Sequence, residues 1–134
     1  MVEEIELEKL LTLLQPTLLE DEFVFCTIDP VPFGELDTLN PLACYHEKEG
    51  LSLLLKRTAA DEAGIKYQFV SRCITLSVHS SLSAVGFTAA VSSKLAAHGI
   101  PANVIAAYYH DHVFVPADRA EIALKLLTEF ERRR

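Results

Sequence analysis

Residues 73–115 read CITLSVHSSLSAVGFTAAVSSKLAAHGIPANVIAAYYHDHVFV, and the changes of period within them decide the fold class. "CITLSVH" is rich in β-branched residues and reads as a strand, which the polar bend "SSLS" stops. In "AVGFTAAVSSKLAAH", Phe87, Val91 and Leu95 recur every four residues on one helical face. Small Ala84, Ala90 and Ala97 suit close approach to a sheet, and Gly99 with Pro101 ends the helix. "ANVIAAYY" and "HVFV" then read as a strand pair, over 103–109 and 112–115. "ADRAEIALKLLTEFERRR" closes with Ala123, Leu126, Leu127 and Phe130 on one stripe. The order is β-α-β-β-α.

Upstream the punctuation is less regular. "EEIELEKLLTLLQP" is a short amphipathic helix, with glutamates in its first turn and Pro16 beyond its end. "EFVFCTID" reads as a strand, and Pro30, Pro32, Gly34, Asn40 and Pro41 make the following stretch a loop. "ACYHEKEGLSLLLKR" is a hairpin that turns at Glu49-Gly50. Thr58 is placed to cap a short helix, with Asp61 at its third position and Gly64 as its stop. A long strand-like segment, 67–79, links the halves. The first half is thus α-β-β-β-α-β.

Split βαβ arithmetic of this kind predicts an α+β sandwich of the ferredoxin-like (βαββαβ) type, in two modules, 1–70 and 71–134. The second half lacks the closing strand of such a unit, and the first half has one to spare.

Bulk composition narrows the function. The chain has 134 residues, a formal charge of −7 and half its residues apolar. An acidic chain with a pI near 5.1 opposes a nucleic-acid partner, which needs a basic stripe to displace counterions. Cys26, Cys44 and Cys73 lie far apart in apolar runs and suggest reduced, buried thiols. The acidic start "MVEEIELEKLL" is unlike a signal peptide, and no apolar run has the length of a membrane span. The expectation is a cytoplasmic protein with no membrane partner and no cofactor.

The segment "SVHSSLSAVGFTAAVSSKLAAHGIPANVIAAYYHDHVFVP" resembles the ACT domains, small ferredoxin-like regulatory modules that bind amino acids. It is similar above all to short, free-standing tandem-ACT proteins that share S-S-L-x-A-V-G and N-V-x-A-x-Y-x-H-D-H. The match spans roughly residues 70 to 130, and the first half resembles an ACT module in element order. A weaker similarity reaches the paired ACT domains of aspartate kinases, in which G-I-N lies beside the effector. Here "GIPANV" carries its asparagine two residues later, at Asn103.

The resemblance implies an effector bound at the bend between strand and helix, and at the seam between modules. His79, Ser80, Ser81, Leu82, Val85 and Gly86 occupy that bend, with Asn103 and Val104 on a nearby strand and Asp111 a candidate for an ammonium group. The chemistry agrees with this: a helix N-terminus starting near Ala84 offers amide donors and a positive dipole end to a carboxylate. The same residues also fit a plain helix cap at Ser81 or Ser83 and a packing glycine at Gly86.

The resulting function is a non-enzymatic regulatory protein that binds an amino acid or related metabolite, as a homodimer and with a partner enzyme as its target. An alternative is a structural dimerisation or regulatory subunit with no ligand of its own. A third reading is a metal-dependent enzyme using His110 and His112, which would need a third ligand that His79 or His98 does not obviously supply.

Overall fold

The computed structural model describes residues 2–31, 36–77 and 85–132. In order these form α1 (Val2–Thr12), β1 (Pro16–Ile28), β2 (Ala43–Glu47), β3 (Gly50–Lys56), α2 (Arg57–Ala63), β4 (Val70–Leu76), α3 (Phe87–Ala96), β5 (Asn103–Ala106), β6 (Asp111–Pro116) and α4 (Ala120–Thr128). A 3₁₀ turn, Glu129–Arg132, follows α4. Among the described residues no helix is long and apolar enough to cross a membrane, a statement that leaves β-barrels aside.

The chain packs as two units. Residues 1–19 and 72–134 make one, and residues 20–71 the other.

The first unit carries the split βαβ expected of a ferredoxin-like fold. β4 leads through α3 to β5, and β6 returns between them in the strand order β4-β6-β5. β5 and β6 are antiparallel, with Asn103 opposite Phe114 and Ala106 opposite Asp111. The closing strand comes from far upstream. β1 neighbours β4, and its opening residues, Pro16–Leu19, belong to this unit. The Ser77 amide donates to the Leu14 carbonyl at 3.0 Å, and the Arg72 guanidinium donates to the Leu19 carbonyl at 2.7 Å. Those two contacts run in opposite chain directions, as antiparallel neighbours require.

Alternation puts Ile74, Leu76, Val113 and Val115 on the face that receives the helices, where they meet Phe87, Val91 and Leu95 of α3 and Ala123, Leu127 and Phe130 from the C-terminal stretch. Leu14, at the end of the N-terminal segment, is fully buried in the same core.

The second unit is a three-stranded arrangement in the order β2-β3-β1, with α2 on one face. The β2–β3 hairpin pairs Glu47 with Gly50, and β3 pairs with β1 from Phe23↔Lys56 to Ile28↔Leu51. Val24, Leu51, Leu53, Leu55 and Ala60 form its core, joined by Leu36. Arg57 fastens α2 outward: its Nε donates to the Tyr67 hydroxyl at 2.9 Å, and its Nη1 to Glu22 at 2.9 Å. The Tyr67 hydroxyl in turn donates to Asp61 at 2.7 Å.

Several element boundaries differ from the sequence expectation. β1 starts at Pro16 rather than near Phe23, since proline tolerates the first strand position, where its missing N–H costs nothing. Gln15, at φ 42°, makes the turn that lets strand follow helix at once. Thr58 does not cap α2. The chain runs straight from β3 into the helix, so extended Lys56 is the N-cap, without a side-chain bond, and Thr58 lies inside. Gly64 ends α2 as expected, at φ 69°. Among the described residues of 67–79 the strand is Val70–Leu76.

Residues 1–19 have a structural role that can be tested directly. Leu14→Ala is expected to lower the unfolding free energy by about 2–5 kcal/mol in denaturant titration, the cost of an unfilled core site. A change below about 0.5 kcal/mol, the range of ordinary surface substitutions, would show that this segment is not part of the core.

Candidate functional site

The bend that leads from β4 to α3 is the place where the sequence points to a ligand. His79, Ser80, Ser81 and Leu82 lie outside the described residues, as do Ser83 and Ala84. At its far end Val85 is 73% exposed, a large apolar side chain left in solvent. Gly86 follows at φ 89°, a left-handed conformation that side-chain-bearing residues rarely adopt.

α3 therefore begins at Phe87, not near Ala84. Gly86 is its N-cap, with no side-chain cap bond, and the Ala90 amide to the Gly86 carbonyl at 2.9 Å is the first turn of the helix. The amides of Phe87, Thr88 and Ala89 have no acceptor within the helix itself, the property that makes such an end hospitable to a carboxylate.

α1 reaches the same place. A Cβ built on Gly86 would stand 3.3 Å from Leu7 Cδ2, so the close approach that this glycine permits is to a side chain of α1. Beyond it, Leu7, Glu8 and Leu11 of α1 face Ala90, Ser93 and Lys94 of α3 across a groove of about 580 Å³ that ends at Phe130. Lys94 is already engaged there. Its Nζ lies 2.9 Å from Glu129 and 5.2 Å from the centre of the Phe130 ring. The Lys94 ammonium, through its hydrogen bond and its charge, holds the Glu129 carboxyl below the usual carboxylate range. Nothing in the sequence signalled that the N-terminal helix would land on α3.

On the sheet, Thr75 near the end of β4 shares a 3.0 Å hydrogen bond with His112 Nδ1. The Cys73 thiol lies 3.8 Å from the Thr75 hydroxyl. Burial lowers the His112 pKa, the charge of His110 lowers it further, and Asp111 pulls the other way. Burial raises the Cys73 thiol, which leaves it protonated and poorly nucleophilic.

Asp111 is 6% exposed and shares the parity of Val113 and Val115, so it points to the helix-covered face. The strand bounds expected from the sequence, 103–109 and 112–115, leave it in the connection between them, and that needs correcting. That connection is Ala107–His110, closed by the Ala107 amide on the His110 carbonyl at 3.1 Å, and Asp111 is the first residue of β6. Strand β5 likewise ends at Ala106 instead of running to 109.

The candidate strand residues divide. Asp111 is next to His112, which touches β4 just before the bend. Asn103 stands at the other end of β5, opposite Phe114, and β6 separates β5 from β4. Val104 is half-buried against the helix-covered core. The crossover leaves a slot for a returning strand, so the residues following the helix are one strand further from the bend than adjacency in sequence suggests. Among the described residues no three His, Cys, Asp or Glu side chains converge as metal ligands.

Comparison with known proteins gives the family. Residues 3–72 match one family model described as an ACT domain, and residues 68–129 match a second with the same description. The chain is similar to a Vibrio cholerae protein of unknown function, called a possible transport protein, at 45% identity. That likeness covers 96% of this chain and 98% of that one, with a TM-score of 0.87. Two more distant likenesses are of fold alone. An Agrobacterium tumefaciens protein superposes with a TM-score of 0.68 at 16% identity, over 87% of each chain. The ligand-free regulatory subunit of aspartate kinase from Thermus thermophilus superposes at 0.59 and 14% identity, over 87% of this chain and 97% of its own. No curated protein matches the chain.

Two consequences are measurable. Gly86→Val forces a β-branched residue to a positive φ beside Leu7, and is expected to cost about 1–3 kcal/mol of stability in denaturant titration, with or without ligand. Unchanged stability would mean that the helix start does not need the left-handed turn.

The second concerns pH. The His112 pKa in the folded protein lies below its ordinary 6.5. As pH falls through about 6.5 the unfolded chain takes up this proton before the folded one, so stability drops; above that pH the effect is absent. Wild type is expected to lose more stability than His112→Gln between pH 7 and pH 5, and equal losses in thermal melts would contradict the assignment.

Proposed function

The chain belongs to the ACT-domain family, whose members are regulatory modules that bind small molecules, and from that membership we propose that it senses an amino-acid-like metabolite. The ligand binds beside residues 79–86. Its carboxylate faces the N-terminus of α3, and Ser80 and Ser81 add neutral donors. Asp111 is the better placed of the strand candidates for the ammonium group, since it adjoins the β4 contact of His112. Asn103 takes no direct part, because it lies at the opposite end of β5. The protein works as a homodimer without catalysing a reaction, and the bound state is read by a partner enzyme.

The observation that carries this reading is the start of α3. A left-handed Gly86 without a side-chain cap turns the first amides of a ten-residue helix toward the bend. Serine, threonine, aspartate or asparagine at an N-cap supplies a side-chain oxygen to the first amides, whereas glycine, also common there, supplies none. Glycine at that position leaves the donors to another acceptor.

A thermal-shift panel of the twenty amino acids and related carboxylates tests it. A ligand present at one hundred times its Kd is expected to stabilise the fold by about 2.7 kcal/mol. Calorimetric titration of any hit then compares wild type with Ser81→Ala, for which a loss of about 0.5–1.5 kcal/mol of binding is expected. Asp111→Asn is expected to weaken an amino acid more than its deaminated analogue. No hit across the panel favours a subunit without a ligand of its own, and equal affinity in wild type and both variants would remove the bend from the site.

A further inference from the structure

We infer that the groove between α1 and α3 is a second ligand site, one that takes a small amphipathic amine, with its apolar body against Leu7, Leu11 and Phe130 and its ammonium group on Glu8. This site is additional to the one proposed at the bend. Its described lining residues come from α1, the body of α3 and the turn after α4, not from residues 79–86.

Size and lining come first. At about 580 Å³ the groove is within the range of small-molecule sites, which are mostly apolar with a few placed polar groups. Leu7 and Leu11, one turn apart on α1, form one wall. Ala90 and Ser93, neighbours on one face of α3, form the other, and their small side chains leave the space open. Phe130 closes the end. Leu11 and Phe130 are buried members of the core, so this part of the lining is firmly held.

Charge then selects the occupant. Among the described residues two charged side chains line the groove, Glu8 and Lys94. They do not pair with each other. The Lys94 ammonium lies 2.9 Å from Glu129 and over the Phe130 ring instead. His98 and Lys125 also act on Glu129, and neither lines the groove. Among the described residues Glu8 has no ion pair and no hydrogen bond. The groove therefore sets one carboxylate without a counter-charge beside an apolar wall. An anionic ligand would meet Glu8 while the one lysine is already neutralised by Glu129. A primary amine is protonated at neutral pH, as lysine is, and brings three donors to that carboxylate. Bound there, it joins α1 to α3 one turn beyond Gly86, where Leu7 already rests, and steadies the N-terminal helix.

The test uses the full chain at pH 7, titrated with phenethylamine, with phenethyl alcohol as its neutral counterpart and hydrocinnamate as its anionic one, and followed by NMR of methyl and amide groups. The amine is expected to saturate with a Kd of about 1 mM or below and to shift Leu7, Leu11 and Ala90. The alcohol is expected to bind about tenfold more weakly and the carboxylate more weakly still, and added salt is expected to weaken the amine without weakening the alcohol. Glu8→Gln, a surface change that leaves the fold intact, is expected to bring the amine down to the affinity of the alcohol, whose own binding stays the same. Amide exchange in α1 is expected to slow when the amine is bound. Equal binding of the three compounds would make the groove an unselective apolar patch and overturn the proposal. So would equal amine affinity in wild type and Glu8→Gln, shifts confined to other parts of the chain, or no saturation at millimolar amine. None of these outcomes bears on the amino-acid site, which the ligand panel and Ser81→Ala test separately.

Discussion

A helix-covered sheet face must extend as far as the helices that rest on it, and the segment 72–134 has too few strands to do that alone. β1 meets the requirement from the other end of the chain. Leu14 enters the core with no exposed surface, the Ser77 amide bonds to its carbonyl, and Arg72 holds the Leu19 carbonyl while lying 3.8 Å from Glu121. Because β1 arrives beside β4, the helix before it is delivered to the helix layer. That is how Leu7 comes to rest against Gly86 and how α1 and α3 come to frame a groove with Phe130. The surroundings of the candidate site are therefore a consequence of sheet closure.

The polar groups are arranged to be satisfied rather than poised. Among the described residues no buried side-chain nitrogen or oxygen lacks a partner. Ser71, fully buried, donates to the Phe23 carbonyl at 2.9 Å, and His112 is held by Thr75. What the start of α3 offers is backbone amide donors rather than a desolvated charge. Burial lowers the His112 pKa and raises that of the Cys73 thiol.

The small residues of the C-terminal half divide between two tasks. Ala120 and Ala123 are buried where α4 meets the core, and close helix–sheet contact requires them. Ala106 and Ala107 are exposed at the end of β5. The same residue type thus lets a helix approach the sheet at α4 and lies exposed at the end of β5.

Much of the fold was legible in order and period. Phe87, Val91 and Leu95 marked the buried face of α3, Ala123, Leu127 and Phe130 that of the C-terminal helix, and all are buried as their spacing required. The β2–β3 hairpin and the stop at Gly64 were equally plain, because turn chemistry and helix termination are local. So was the resemblance to ACT domains, carried by the motifs on either side of α3. Boundaries were less legible: Thr58 looked like a cap until β3 ran directly into α2, and the asparagine of GIPANV looked adjacent to the bend until β6 came between. What only the tertiary structure decided was which strands are neighbours, that β1 closes the sheet of the C-terminal half, that Leu7 meets Gly86, and that β5 is the last strand in the sheet order. An alternating pattern says which face of a strand is buried and nothing about which strand lies beside it, since that choice is made by backbone hydrogen bonds common to every residue.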